Sequence, residues 1–411
     1  MFEKILFAAV FLPIGLYLLL KLKIFYFPAL FFAIKFAAGQ VLNFDRVRNN
    51  VLFQLLIITI LLGAIAFRSH GKLRIGDKFF FRSISAILPF LMFYSITGVL
   101  NGHGIFQIFI DCYKYLEIIV YYILLRASWK DNRDVFMGVR ALSGLMLSLG
   151  LIEVVITSRG GVGLNLMISL FPMVMILALY RYLSKPKTIL LITLFVVVSC
   201  QTRTYIMGFV IGLAAMMFAL PKDRRQSLMT FTFAIGILAV IVAGVFGGEL
   251  LKRTLSRFME LASGFEESGG YRIYDYAEAI NRFLDHPILG NGFGYLKRTY
   301  ILKMGWMNWG DFVHCLYLEI LFKVGICGVV YIAVVFGRFI RKIYRNAKAL
   351  KGKDDMVFAI CCGGLCSFLS WFFIYMFAPL ATIGSMFLGP LIASIALTNY
   401  YTEQKSMRTV E

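Results

Sequence analysis

Apolar stretches of about twenty residues recur along almost the whole chain, and this feature constrains the fold most strongly. A helix needs about 20 mostly apolar residues to cross the roughly 30 Å of bilayer hydrocarbon. About thirteen windows have this length or approach it. They lie at residues 5–20, 24–42, 51–67, 79–100, 105–125, 135–157, 163–183, 188–200, 204–220, 228–247, 315–337, 356–376 and 381–399. The pattern predicts an all-α, polytopic integral membrane protein with about 12–13 transmembrane helices.

The composition excludes most soluble classes of protein. Hydrophobic residues make up 60% of the chain and charged residues 16%, whereas soluble domains are about 45–50% apolar and about a quarter charged. An aromatic content of 16% excludes a disordered chain, and seven cysteines in 411 residues exclude a disulfide scaffold. The bilayer is therefore the expected solvent for most of the chain.

Most of the net charge of +20 comes from lysines and arginines in five connections between windows. These connections lie at 68–82, 126–133, 181–187, 222–225 and 338–353. They fall on alternate connections, and cytoplasmic loops carry an excess of lysine and arginine, so all five are expected in the cytoplasm. The excess charge is then a topological signal facing anionic lipid, and a nucleic-acid partner loses its support. The side of the N-terminus stays open, because one of the first two windows could be half inserted.

The orientation divides the chain into four parts. Residues 1–247 form the N-terminal transmembrane helices, 248–314 one large outer (periplasmic or extracellular) loop, 315–400 the C-terminal helices and 401–411 a cytoplasmic tail. Within the outer loop, apolar spacing predicts an amphipathic interfacial helix over 251–262. A second short helix is predicted over 275–284, with Asp275 as its N-cap and His286-Pro287 as its stop, followed by a turn at 290–294.

Three arginines and one histidine on the expected outer side are the candidate functional residues. Arg159, Arg203 and Arg272 could hold a diphosphate, because the guanidinium fork pairs with phosphate oxygens, or could simply snorkel to lipid headgroups. His314 lies where the outer loop meets a window, which fits either a functional group or an interfacial cap. The other outer histidines, His103 and His286, fit structural roles.

A second set of charges lies inside the windows. Asp111, Lys114 and Glu117 follow one another at intervals of three, which places them on one helical face, and Glu153 lies in the next window. An Asp111–Lys114 pair could neutralise itself within the bundle. A proton or ion pathway is the alternative interpretation. Neither a nucleotide-binding loop nor a metal-ligand spacing occurs, so no metal and no cofactor are expected.

Four short motifs occur in a fixed order: a glycine-rich stretch, an arginine at an outer turn, a second arginine running into a helix and His-Pro-Ile-Leu-Gly-Asn-Gly-Phe-Gly, and a histidine followed by two glycines. They lie at 161–165, at 201–203, at 271–277 with 286–294, and at His314 with Gly325 and Gly328. In this order, with this topology, they resemble the O-antigen polymerase and ligase superfamily, integral membrane enzymes of bacterial surface polysaccharide assembly. One position departs from the family pattern, because Cys315 stands where the family prefers Asn, Ser or Gln.

The resemblance implies a metal-independent, inverting glycosyltransferase whose donor is a glycan on undecaprenyl diphosphate. Arg203 and Arg272 would bind the diphosphate and stabilise the charge that develops on it, with Arg159 a weaker candidate for substrate contact. His314 would accept the proton of the acceptor hydroxyl. The reaction would take place on the periplasmic face of the bacterial inner (cytoplasmic) membrane.

Three functions stay open at this point. A polymerase, transferring to the non-reducing-end hydroxyl of another lipid-linked repeat unit, is preferred because polymerases are the more divergent class and Cys315 departs from the pattern. A ligase would instead transfer the glycan to lipid A-core. A secondary transporter or lipid flippase, coupled through Asp111, Lys114, Glu117 and Glu153, is the remoter alternative. Membrane lipid is an expected partner, and a chain-length regulator protein is a candidate one.

Overall fold

The computed structural model describes residues 23–32, 57–65, 78–157, 188–193, 203–219, 267–301, 305–310, 315–376 and 384–408, with a few isolated positions between them. Nine α-helices with defined bounds lie in these ranges, together with a short 3-10 helix at Ile24–Tyr26. The α-helices are α1 (Lys78–Ser85), α2 (Ile87–Leu100), α3 (Ile105–Ser128), α4 (Asn132–Thr157), α5 (Arg203–Ala219), α6 (Glu267–Asp285), α7 (Leu316–Leu350), α8 (Asp355–Ile374) and α9 (Gly384–Arg408).

The prediction of an all-α, polytopic membrane protein is confirmed. Among the described residues, three helical segments are long and apolar enough to cross a membrane: Lys78–Leu100, Leu316–Leu350 and Asp355–Ile374. The predicted windows correspond to helices wherever the structure describes them over most of their length. The division of the chain into four parts is not tested, and the amphipathic helix predicted over 251–262 lies outside the described residues.

The described helices run between two ends of the bundle. One end, called the loop end, contains the turn at 101–104, residues 286–295 and the start of α7. The C-terminal end of α8 also lies at the loop end, since the Leu316 N–H donates to the Tyr375 carbonyl (3.0 Å). The other, called the basic end, contains the connections 126–133 and 338–353, because Glu403 lies within electrostatic range of both Asp131 and Asp354. Two connections predicted to share a side of the membrane therefore share an end.

The connection before α7 contains one long helix and two strands. Helix α6 begins at Glu267, so the prediction of a start at residue 275 with Asp275 as N-cap is wrong. Asp275 instead lies inside the helix, where it is 2% exposed and forms an ion pair with the fully buried Lys297. That pair ties α6 to β1 (Lys297–Ile301), which is antiparallel to β2 (Gly305–Gly310). The stop at His286-Pro287 is confirmed, since the helix ends at Asp285.

The hairpin β1–β2 is an element that the apolar windows do not reveal. Its strands are five and six residues long, and an irregularity in pairing separates Lys297 from Thr299. Hydropathy over a window of twenty residues averages out an alternation this short. The fold of the described residues is thus a helical membrane bundle whose loop end carries α6 and this small hairpin.

Candidate functional site

The glycine-rich stretch after α6 crosses a break in helix α7. Gly325 in α7 has φ 60° and ψ −174°, which is not helical, and the helix resumes beyond it. The Gly292 N–H donates to the Lys323 carbonyl (2.8 Å), while the Ile326 N–H donates to the Pro287 carbonyl (2.9 Å). Backbone groups that the break removes from the helix are therefore bonded to the stretch 287–292, as buried backbone polar groups require.

Glycine is required on both sides of this contact. Gly290 has φ 72° and Gly325 has φ 60°, a region that residues with a Cβ rarely adopt. A Cβ on Gly290 would lie 2.5 Å from the nitrogen of Gly325, and a Cβ on Gly325 would lie 2.5 Å from the nitrogen of Gly290. The glycines of the two last sequence motifs are thus two halves of one backbone contact, which we call the glycine interlock (residues 287–294 with 322–328).

Phe293 anchors the interlock to α2 and α3. Its side chain is fully buried, with ring centroids 5.6 Å from Tyr115 and 5.9 Å from both Phe90 and Tyr94. The Phe293 N–H also donates to the carbonyl of Tyr94 (3.1 Å). Aromatic packing of this kind stabilises a contact beyond the area that it buries, so the stretch is held against two neighbouring helices as well as α7.

Asn291 joins three elements through hydrogen bonds. Its side-chain amide donates to the carbonyls of Arg282 (2.9 Å), at the end of α6, and Phe322 (2.8 Å), in α7. Its own carbonyl accepts from Asn101 Nδ2 (2.9 Å) and lies 2.8 Å from His103 Nε2. This contact joins the His103 ring to the stretch 287–294, which agrees with the structural role expected of it.

Four buried charged side chains lie directly beneath the interlock. Asp111 Oδ1 lies 2.7 Å from Lys323 Nζ and 3.4 Å from Lys114 Nζ, and Glu319 Oε1 lies 2.7 Å from Lys114 Nζ and 3.0 Å from Lys323 Nζ. All four are at most 8% exposed. We call this set the charge quartet (Asp111, Lys114, Glu319, Lys323). The predicted Asp111–Lys114 pair exists, but as one of four contacts.

The quartet is electrically neutral and links α3 to α7. A single charge at the centre of a bilayer costs about 2.5–3.5 kcal/mol on insertion scales, whereas two acids and two bases in contact neutralise each other. The quartet also holds the interlock, because the Gly294 N–H donates to Asp111 Oδ2 (2.8 Å). The ion pairs and this hydrogen bond therefore hold together the start of α3, the break in α7 and the stretch 287–294.

The backbone places the two predicted arginines of the described ranges at the loop end. Arg203 is the first residue of α5, and five residues later Gly208 packs against Ile374 and the Ser370 carbonyl near the end of α8. Arg272 lies in α6, one turn before Tyr276 and two before Ala279. Ala279 packs in a cluster with Val313 and Phe322, and Tyr276 packs against that cluster.

Two further predicted residues, His314 and Arg159, lie outside the described residues. Both direct neighbours of His314 are described: Val313 is fully buried in the α6–α7 cluster, and Cys315 is the N-cap residue of α7. The starts of α5 and α7 both contact the end of α8, and α6 packs on the start of α7. The segments that carry Arg203 and Arg272, and the residues beside His314, thus share one end of the bundle. A convergence of the three side chains stays a prediction.

The surroundings raise the pKa of two side chains in the connection before α7, those of Arg282 and Tyr295. Arg282 Nε lies 2.8 Å from Glu278 Oε1 and Arg282 Nη1 lies 3.2 Å from Asp285 Oδ2. The hydrogen bond to Glu278 is the main cause that raises the pKa of Arg282. Burial raises the pKa of Tyr295, whose ring packs beside His103 and Phe322. Both side chains thus stay protonated, so Arg282 keeps its charge at the end of α6.

Three contributors to the site were not identified from the sequence: Asn291, Glu319 and Lys323. Asn291 stands inside a motif that suggests only a turn, and Glu319 and Lys323 lie four residues apart in an apolar window. The available signal was the cost of two opposite charges inside a membrane span, which implies a partner. Their partners, Asp111 and Lys114, lie about 200 residues earlier in the chain, a distance that no local pattern bridges.

Comparison with known families finds a match for the part of the chain that contains most of these loop-end residues. Residues 188–333 match the family model described as O-Antigen ligase. The match spans 146 of the 411 residues and includes Arg203, Arg272, His314 and both halves of the glycine interlock. It confirms the resemblance to the O-antigen polymerase and ligase superfamily.

The segment that matches the O-antigen ligase family ends within α7, and the charge quartet combines residues from inside and outside this segment. Glu319 and Lys323 belong to the matched segment, while Asp111 and Lys114 precede it. The matched family is a membrane glycosyltransferase-like group, and the three described spans agree with a multi-pass membrane protein. No curated protein sequence matches the chain significantly.

Proposed function

We propose that this protein is a polysaccharide polymerase of the O-antigen or capsule type. It transfers a glycan from undecaprenyl diphosphate to the non-reducing-end hydroxyl of another lipid-linked repeat unit. The reaction takes place at the loop end, which faces the periplasm, in the bacterial inner membrane. The observation that supports the proposal is that the segments bearing Arg203 and Arg272, and the residues flanking His314, lie at that one end and within the part of the chain that matches the O-antigen ligase family.

Arg203 and Arg272 bind the donor diphosphate. A guanidinium pairs with two phosphate oxygens at once, which lysine cannot do. As the bond between C1 of the sugar and the phosphate oxygen breaks, negative charge grows on the leaving diphosphate, and the arginines stabilise it. Arg159 provides a further substrate contact. The sugar–diphosphate bond supplies the driving force, so the mechanism requires no metal and no cofactor.

His314 activates the acceptor. Its imidazole takes the proton from the attacking hydroxyl, a role that suits a group whose unperturbed pKa is about 6.5. The hydroxyl oxygen attacks C1 from the face opposite the diphosphate, so the configuration at C1 inverts. The products are a glycan longer by one block, still carried on lipid, and free undecaprenyl diphosphate.

A ligase that transfers the glycan to lipid A-core is the second candidate, and the match to the O-antigen ligase family favours it. The departure at Cys315 favours the polymerase, since polymerases diverge more. A transporter receives less support from the geometry. Asp111 and Lys114 lie beneath the interlock at the loop end, whereas transport sites lie near the midplane.

The test supplies purified protein in liposomes with lipid-linked repeat units, with and without lipid A-core, and follows product length. A ladder of products without core supports the polymerase, whereas transfer only to core establishes the ligase instead. His314→Ala is expected to abolish product formation. His286→Ala is a matched control, because His286 is exposed and its hydrogen bonds in this region are made by the backbone. Full activity of His314→Ala would remove the histidine from the mechanism.

A further inference from the structure

The glycine interlock contacts helix α7 far from the start of that helix. The Ile326 N–H donates to the Pro287 carbonyl (2.9 Å). The Cys327 N–H donates to the Ile288 carbonyl (3.1 Å). Helix α7 begins at Leu316, ten residues before Ile326. Since a helix rises about 1.5 Å per residue, the contact lies about 15 Å along α7 from its start.

Two further distances place the interlock at the depth of the hydrocarbon. Arg338 begins the cationic half of α7, twelve residues after Ile326, which corresponds to about 18 Å. If Arg338 marks the inner boundary of a hydrocarbon layer about 30 Å thick, Ile326 lies about 12 Å inside the outer boundary. On the other side, the Phe293 N–H donates to the Tyr94 carbonyl (3.1 Å). Tyr94 stands six residues before the end of the span Lys78–Leu100, or about 9 Å inside it.

The protein itself provides hydrogen-bond acceptors for the backbone of this stretch. Each backbone N–H from residue 290 to residue 293 donates to a backbone carbonyl, and the Gly294 N–H donates to Asp111 Oδ2 (2.8 Å). The carbonyls are those of His286, Phe322, Lys323 and Tyr94, in this order. Residue 287 is a proline, which has no N–H. Non-helical backbone is tolerated at membrane depth where it is buried in protein in this way.

The side chains that leave the protein surface in this stretch are apolar. Ile288 is 64% exposed and Leu289 is 48% exposed, and residues 287–296 include no charged side chain. Beside them on α7, Ile326 and Val330 are also exposed. These two residues lie inside a membrane span, where an exposed apolar side chain faces lipid. The exposed face of the stretch is therefore continuous with the lipid-facing surface of α7.

We propose that residues 287–293 form a re-entrant segment that enters the outer half of the bilayer, with Ile288 and Leu289 in contact with lipid acyl chains. The inference goes beyond the proposed function and does not depend on it. The chain enters the segment from the end of α6 and leaves it at Gly294, and both lie at the loop end. The large outer loop then contains a part that lies inside the membrane.

The deciding experiment measures the surroundings of position 288 by fluorescence quenching. Ile288→Trp adds one tryptophan to the four of the wild type, and its fluorescence is the difference between the two proteins. The full-length protein is reconstituted in phosphatidylcholine liposomes, with or without bromine near the middle of one acyl chain. Brominated lipid quenches a tryptophan that touches acyl chains, whereas acrylamide quenches a tryptophan in water.

Val330→Trp and Lys348→Trp are the matched references, because both positions are exposed, one within the span and the other at the basic end. Brominated lipid is expected to quench the tryptophan at 288 to within about twofold of that at 330, and at least about threefold more than that at 348. Quenching by acrylamide instead would place Ile288 in water and overturn the proposal. Protection from both quenchers would show a protein on this surface, such as a second copy of the chain, and would also overturn it. Leu289→Trp provides the same test if Ile288→Trp fails to fold.

A charge at the same position tests the placement independently. A carboxylate inside a membrane span is costly, so Ile288→Asp is expected to lower the ratio of folded to unfolded protein in detergent micelles at least about tenfold. Ile288→Leu is the matched control and should keep the ratio within about twofold of the wild type. At a position facing water, the aspartate would also stay within about twofold, because surface substitutions seldom do more. That outcome would contradict a re-entrant segment.

Discussion

The two halves of helix α7 carry charge in opposite ways. Near the loop end, Glu319 and Lys323 are buried and belong to a neutral quartet. Near the basic end, all charged residues of α7 are cations, and they are exposed. They are Arg338, Arg341, Lys342, Arg345 and Lys348. Buried charge must be compensated at once by contact, whereas exposed charge is solvated and can keep one sign. One half of α7 therefore connects elements through buried ion pairs, while the other half carries the exposed cations that favour the cytoplasmic side.

The halves also differ in their backbones. The loop-end half breaks at Gly325, where residues 287–292 bond to the freed backbone groups. The basic-end half is regular, with Phe339, Ile343 and Ala347 buried at intervals of four and Phe339 packed edge-on against Phe80 of α1. An amphipathic face of this kind needs only side-chain packing. Changes in the loop-end half should therefore be the more damaging ones.

Removing Lys323 should have the largest effect on stability. Lys323→Met leaves Asp111 and Glu319 to share Lys114, and breaking a buried ion pair costs about 3–5 kcal/mol. Lys348→Met, at an exposed position of the basic end, is the matched control and is expected to change the free energy of unfolding by less than about 0.5 kcal/mol. Denaturant unfolding in detergent micelles measures both. Equal losses would show that the quartet is no more important than a surface cation.

Adding a methyl group at the break should rank second. Gly325→Ala forces a residue with a Cβ to φ 60° and places that Cβ against the backbone of residue 290, which we expect to cost about 3 kcal/mol. Gly337→Ala in the same helix is the control, since no atom lies within 4 Å of the added carbon, and it should be neutral or stabilise by up to about 1 kcal/mol. If both alanines behave alike under thermal unfolding, the glycine interlock is not a tight contact.

Shortening Asn291 should have an intermediate effect. Asn291→Ala removes the side-chain amide that donates to the carbonyls of Arg282 and Phe322. The Phe322 carbonyl keeps the backbone N–H of residue 291 (3.0 Å), whereas the Arg282 carbonyl loses this donor, which we expect to cost about 1–3 kcal/mol. Asn101→Ala removes only one half-buried bond to the same stretch and should cost about 0.5–1.5 kcal/mol. Amide hydrogen exchange should show faster exchange over 290–294 in Asn291→Ala. Unchanged protection there would contradict the role of Asn291 as a joint between three elements.

Neutralising the exposed cations should have the smallest effect on stability. Arg341→Gln, Arg345→Gln and Lys348→Gln together are expected to cost less than about 1.5 kcal/mol, because surface substitutions usually change stability by about 0.5 kcal/mol or less each. Topology reporters fused after residue 411 should nevertheless detect a larger misoriented fraction, since lysine and arginine near span ends set orientation. A loss of stability comparable to that of Lys323→Met would remove the difference between the two halves.

Hydropathy predicted the helices well, because a span must be apolar along its whole length and is therefore visible as one continuous apolar stretch of sequence. The windows at 105–125 and 356–376 became α3 (Ile105–Ser128) and α8 (Asp355–Ile374). The prediction for the connection was weaker, since α6 is amphipathic and starts eight residues before the expected N-cap. Asp275 resembled a cap because a polar residue before an apolar run is a common start signal, but its partner is Lys297, across the connection.

The sequence by itself determined the class of fold, the distribution of basic connections and the family motifs, because each of these is recorded in neighbouring residues. Only the tertiary structure showed that Gly290 and Gly325 meet and that Asp111 and Lys114 neutralise Glu319 and Lys323. These contacts join residues that are far apart in the chain. Inside a membrane, a charge or a broken helix is tolerated only beside its partner, and the partner is chosen by packing rather than by local sequence.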